Sequence, residues 1–144
     1  MPEPGGIPPL EEVGLRLAGE SLVVELFALI DRLDLDRAVA LYADDAVFLR
    51  ARGRGEIRAV MERGLAPHAD DRTRHVIGNL RSHVVGGGVL VEFTNVAYTV
   101  HAPGELSGGS VSARSVLDQE MLMRRDPDSR LRIAEHRILG YELP

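Results

Sequence analysis

The apolar pattern of this chain changes period once, near Pro67, and that change limits the fold more than any other feature. Over residues 10 to about 33, Leu22, Leu26, Leu29 and Ile30 recur at spacings of three and four and predict one helical stripe, widened by Val23, Val24 and Phe27. Gly14 and Gly19 each cost about 1 kcal/mol relative to alanine inside a helix, so a break into a short helix and a longer one is one expectation. Asp34 or Asp36 can cap a second helix with Val39, Leu41 and Tyr42 on its buried side, ended by Ala43, Asp44 and Asp45. Residues 46 to 51 read as a short strand, Gly53 to Gly55 as a turn, and residues 56 to 64 as a third helix with Ile57, Val60 and Met61 on one side. Beyond Pro67, four β-branched runs (73 to 85, 89 to 101, 112 to 125 and 131 to 139) alternate with turn-formers and predict an antiparallel meander. Helices first and a curved sheet second is an α+β arrangement, in which the sheet wraps over the helices to bury the apolar faces of both.

At 144 residues, 44% of them apolar, the chain is long enough for one packed domain and short for two. The expected organisation is a flexible tail over residues 1 to 9, with four prolines and two glycines, and a single domain over 10 to 144. Seventeen basic side chains, all arginine, face twenty-two carboxylates for a net charge of -5, which argues against nucleic acid and anionic membrane as partners. The absence of cysteine excludes disulfides, thiolate metal sites and cysteine nucleophiles, and the absence of lysine excludes Schiff-base chemistry and a phosphate-binding GxxxxGK[ST] loop. His68, His75, His83, His101 and His136 show no HxH or HExxH spacing, so no metal is expected. The longest apolar run is far short of the ~20 residues of a membrane span, and the start lacks a basic region and an apolar core, so a cytoplasmic protein is expected.

The informative polar residues are those whose phase turns them inward. Asp31 ends an otherwise apolar helical stripe: at the mouth of the core its carboxylate would be suited to proton transfer, whereas on the surface it would pair with Arg32 or Arg37. His75, Ile77 and Asn79 share one face of the first long strand, where a histidine can serve as general acid or base or be a satisfied core residue. On the third long strand Leu117, Gln119, Met121 and Met123 form the more apolar face, leaving Gln119 as a lone inward amide that needs a partner, either a ligand or the core. The opposite choice of face would make Asp118 and Glu120 candidate bases. Asn95, in phase with Phe93 and His101, poses the same question on the second strand.

Three stretches together resemble the SnoaL-like branch of the nuclear transport factor 2-like (NTF2-like) superfamily: residues 31 to 48, with DRLDLDRAVALYADDAVF, residues 73 to 79, with TRHVIGN, and residues 131 to 137, with LRIAEHR. The resemblance covers nearly everything after residue 20 and implies a cone, with N-terminal helices in the concave face of a strongly curved antiparallel or mixed sheet. The nearest catalytic pattern is similar to scytalone dehydratase, in which an aspartate late in the first long helix and a histidine in the T-x-H strand act as acid and base. Asp31 and His75 hold the matching positions, Gln119 falls where an asparagine is expected, and Ile30 stands in place of a tyrosine.

The resemblance therefore implies a cofactor-independent dehydratase, isomerase or polyketide cyclase for a hydrophobic, polyketide-like or polycyclic small molecule. His75, oriented by Asp31, would remove a proton beside a carbonyl while Gln119, Asn95 or the hydroxyl of Tyr42 holds the developing oxyanion, and Phe27, Phe93, Leu117 and Met121 would line the cone. The alternatives within the superfamily are a noncatalytic binding or accessory subunit, including the small subunit of ring-hydroxylating dioxygenases, and an epoxide hydrolase, which needs an Asp-Arg-Asp cluster in the cavity that Arg114 with Asp118 leaves open. A homodimer is expected, because Val116 and Leu122 give the outer sheet face an apolar character.

Overall fold

A computed structural model of the chain describes residues 6, 8–66, 72–100 and 111–140. Most of the expected N-terminal tail, together with His68 and His101, lies outside the described residues. Helix α1 (Leu10–Asp31) is followed by α2 (Leu35–Ala40), strands β1 (Tyr42–Phe48) and β2 (Ala51–Arg52), helix α3 (Gly53–Leu65), and the four strands β3 (Arg72–Val85), β4 (Gly88–Val100), β5 (Val111–Arg125) and β6 (Leu131–Ile138). The six strands form one sheet in the order β2-β1-β6-β5-β4-β3, antiparallel except for the parallel pair β1 and β6. No helix among the described residues is long and apolar enough to cross a membrane.

Helix α1 is continuous, against the expected break. Gly14 faces open space, whereas Gly19 lies where α1 crosses β4: a Cβ there would sit 2.7 Å from Val89 Cγ1 and 3.1 Å from Val91 Cγ2. The glycine that weakens the helix locally is thus the one that lets helix and sheet approach. Val23, Leu26, Phe27, Leu29 and Ile30 fill the core from this helix and meet Val89, Val91, Phe93, Met121, Met123 and Ile133 of the sheet. A polar link runs alongside, with Arg16 Nε donating to Ser82 Oγ at 3.0 Å and the same hydroxyl donating to Glu20 at 2.8 Å.

Two expectations need correction, one at the end of α2 and one in β3. Asp34 does cap α2, its carboxylate accepting from the Arg37 N–H at 3.3 Å, but the helix stops at Ala40 and Tyr42 opens a strand. The chain leaves the helix because β6 recruits it: Ile133 N–H bonds the Leu41 carbonyl at 3.0 Å, and Arg54 Nε bonds the Tyr42 carbonyl at 2.8 Å. In β3, strict alternation fails at a bulge between Gly78 and Arg81, where Asn79 takes a φ of 51°. Thr73, His75 and Ile77 share the inward face, but Asn79 is exposed and bonds Thr94 Oγ1 at 3.2 Å, and Ser82 takes over the buried phase.

Candidate functional site

Asp31 is the last residue of α1, and the way this helix ends determines where its carboxylate goes. Leu33 N–H bonds the Ile30 carbonyl and Asp34 N–H bonds the Leu29 carbonyl, both at 2.9 Å, with Leu33 at a φ of 60°. This is a Schellman termination with leucine where glycine is usual, a left-handed conformation that costs a β-carbon-bearing residue roughly 1 kcal/mol. It turns the chain sharply away and leaves Asp31 facing β3. There Oδ1 lies 2.6 Å from His75 Nδ1 and Oδ2 accepts the His75 backbone N–H at 2.9 Å. Two residues 44 apart in the chain are thereby joined through both oxygens of one carboxylate.

The pair is largely sheltered, with 11% of the His75 side chain and 7% of the Asp31 side chain exposed. The Phe27 ring packs against the imidazole at 5.1 Å between centroids and against Phe93 at 5.8 Å edge to face. Asp31 also forms part of the wall of an ≈ 820 Å³ cavity between the ends of α1 and α3 and the start of β3, where Ile30, Leu33, Leu35 and Leu65 supply apolar surface. That size suits a small organic ligand. A carboxylate can only accept, so in a neutral ring Nδ1 carries the hydrogen and Nε2 keeps a lone pair, the arrangement of an oriented general base.

Gln119 and Asn95 both face inward, at 4% and 5% exposure, which settles the face of β5 and leaves Asp118 and Glu120 on the outer side. Gln119 Oε1 lies 2.6 Å from His136 Nε2, and His136 Nδ1 lies 2.8 Å from the Tyr42 hydroxyl. Tyr42 is fully buried with its hydroxyl spent on His136, so it stands behind Gln119 and does not offer its oxygen to a ligand. Burial pushes the Tyr42 hydroxyl well above its ordinary range and lowers the His136 pKa from 6.5 to about 3. Asn95 Oδ1 is buried without a partner among the described residues. Phe27 is buried beside His75, Phe93 is buried against Phe27, and Met121 is fully buried in the core. Leu117 is corrected to the periphery: it is 37% exposed and outside the apolar cluster, and it lies just past Gln119, where the pairing of β5 with β6 stops.

His136 is the polar residue that the sequence reading missed. Ile133 and His136 are both buried because a register shift in β6 changes the phase between them, whereas plain alternation from Ile133 would turn His136 outward. Arg114 NH1 reaches Thr73 Oγ1 at 3.2 Å, while Asp118 accepts from Thr94 Oγ1 at 2.7 Å on the outer face. The two do not converge, so the Asp-Arg-Asp cluster of the epoxide hydrolase alternative is not assembled from them. No group of three or more metal-ligating side chains occurs among the described residues.

Comparison with solved structures places this geometry in a known fold. Aln2 from a Streptomyces species is similar with a TM-score of 0.78 at 16% identity, over 92% of this chain and 93% of that one. A protein from Catenulispora acidiphila in complex with S-DNPA has a TM-score of 0.73 at 16% identity, over 88% and 93%. An NTF2-like protein with a cystatin-like fold from Novosphingobium aromaticivorans has 0.70 at 20%, over 95% and 94%. Among curated proteins none matches. The α+β fold is thus shared with these structures, and the model of the SnoaL-like domain matches residues 12–137, nearly the whole described region, so this chain belongs to the SnoaL-like family.

Proposed function

We propose that the protein is a cofactor-independent acid/base enzyme, a dehydratase, isomerase or cyclase, acting on a hydrophobic small molecule held against the concave face of the sheet. The observation that carries this reading is the Asp31 carboxylate bonded through one oxygen to His75 Nδ1 and through the other to the His75 backbone. In the proposed reaction, His75 Nε2 takes a proton from carbon next to a carbonyl, and Asp31 stabilises the imidazolium that forms. The electron pair moves toward the carbonyl oxygen, where the Gln119 amide meets the developing charge. The imidazolium then returns its proton to a leaving hydroxyl, to the migrating double bond or to a newly closed ring, depending on the substrate. The chain's own groups balance every proton in this scheme.

The test compares His75→Ala and Asp31→Asn with the wild type on a panel of S-DNPA, the ligand named with the Catenulispora neighbour, and aromatic β-hydroxyketones. Each variant is expected to lose on the order of 10²-fold or more in turnover, the range for a positioned general acid or base. Full activity in both would remove the dyad. Ligand-dependent thermal stabilisation with no chemical change in any compound would favour the noncatalytic binding reading instead.

The proposed assembly is a homodimer through the outer sheet face. Val76, Val96 and Val116 stand side by side in register across β3, β4 and β5, and Val76 and Val116 are 54% and 66% exposed. A continuous apolar row of this kind gains by burial against a second copy. Sedimentation at micromolar concentration showing only a 15.7 kDa species would contradict it.

A further inference from the structure

The Tyr42, His136 and Gln119 cluster has a direction, and that direction constrains the ligand. A carboxamide oxygen has no hydrogen to give, so the 2.6 Å contact to Gln119 Oε1 requires a proton on His136 Nε2. Burial holds His136 neutral near pH 7, which makes Nδ1 a lone pair and the Tyr42 hydroxyl its donor at 2.8 Å. The stacked Phe48 ring, 4.1 Å away and tilted by 16°, holds the plane of the imidazole. Reversing the chain would turn Nδ1–H toward the Tyr42 oxygen and leave the hydroxyl proton in a fully buried place without an acceptor among the described residues. The forward sense is therefore favoured: Gln119 Oε1 is engaged by His136 through one lone pair, and the amide N–H groups are the donors Gln119 has to offer.

Asn95 supplies the opposite polarity beside it. Phe93 lies opposite Gln119, Asn95 opposite Leu117 and Ile77, and Ala97 opposite His75, so on one face Asn95 stands diagonally between His75 and Gln119. Its buried Oδ1, with no described partner, is an acceptor awaiting a hydrogen. We infer that the ligand meets this wall with a fixed polarity, an acceptor oxygen toward the Gln119 N–H and a hydroxyl donor toward Asn95 Oδ1, with Tyr42 and His136 as positioning residues that set the sense of the Gln119 amide. The ligand class is a hydrophobic hydroxyketone, and this assignment rests on the function proposed above.

The experiment measures binding of 2-acetylnaphthalene, an acceptor, against 2-ethylnaphthalene, its apolar counterpart, to the wild type, Gln119→Glu and Tyr42→Phe. Long-range proton–nitrogen spectra report in parallel which ring nitrogen of His136 is protonated. The wild type is expected to prefer the ketone by about tenfold, the worth of one hydrogen bond in a buried site. Gln119→Glu keeps an acceptor for His136 but offers the ligand no hydrogen, so the preference should vanish. Tyr42→Phe removes the donor that sets the sense, so the preference should fall and part of the His136 proton should move to Nδ1. A wild-type proton on Nδ1, or a ketone preference kept in Gln119→Glu, overturns the inference; if that variant fails to fold, the wild-type spectrum and Tyr42→Phe decide it. A wild type that binds neither naphthalene overturns the hydrophobic-ligand reading, and the relay then stands or falls on the ring proton alone.

Discussion

Lowering the pH from about 7 to about 5 asks the unfolded chain, but not the folded one, to take up a proton at position 136. His136 has an ordinary value of 6.5 and is held by burial at about 3 in the fold. Because the folded value is the lower, the unfolded state binds more protons in this window, and stability falls as pH drops below 6.5 until the folded ring also protonates near 3. At about 1.4 kcal/mol per unit, this amounts to about 2 kcal/mol between pH 7 and 5, or roughly 4–8 °C in Tm for a chain of this size. Urea unfolding or calorimetry at stepped pH should show this slope in the wild type. The slope should flatten in His136→Gln, which keeps a donor and an acceptor without titrating. Asp126, held below its ordinary 3.8 by Arg132, contributes stability above that value that is lost only as pH falls further, outside the interval. Equal slopes in the two proteins would refute the assignment of a buried, neutral His136.

The two glycines of α1 should respond in opposite directions to the same change. Gly14→Ala, in open space, should raise stability by about 0.5–1 kcal/mol through helix propensity, whereas Gly19→Ala should lower it by about 1–3 kcal/mol, because the new methyl would stand 2.7 Å from Val89 Cγ1. Thermal melts of the two variants check both. Asn95→Leu removes a buried oxygen that has no described partner, so it should leave stability unchanged or raise it by about 1–2 kcal/mol while weakening hydroxyketone binding about tenfold. A stability loss with unchanged binding would show that Asn95 serves the core and not the ligand.

Local pattern was sufficient wherever a residue's neighbours along the chain decide its environment. The change of period near Pro67 separates the helices from the long strands, and alternation along β5 turns Gln119, Met121 and Met123 to the core, as the structure has them. The pattern marked His75 as a polar group on the inner face of its strand and left Asp31 open between the mouth of the core and a surface ion pair; only the family resemblance paired them. The helix reading of Tyr42 failed because the Leu41 carbonyl is claimed by Ile133 and the Tyr42 carbonyl by Arg54, contacts that no local window contains. Asn79 was misplaced and His136 overlooked for a related reason: bulges in β3 and β6 shift the phase by one residue, and a bulge is set by how a strand pairs with its neighbours.

The amino-acid order by itself determined the α+β division, the inward phase of most strands and the chemical types available, because these follow from periodicity and composition. Only the tertiary structure decided that Asp31 grips His75 at 2.6 Å, that Tyr42, His136 and Gln119 form one hydrogen-bonded chain, and that Asn95 is left with an oxygen unmatched among the described residues. Hydrogen bonds between side chains tens of residues apart depend on crossing positions and strand register to within an ångström, and those are properties of the packed whole.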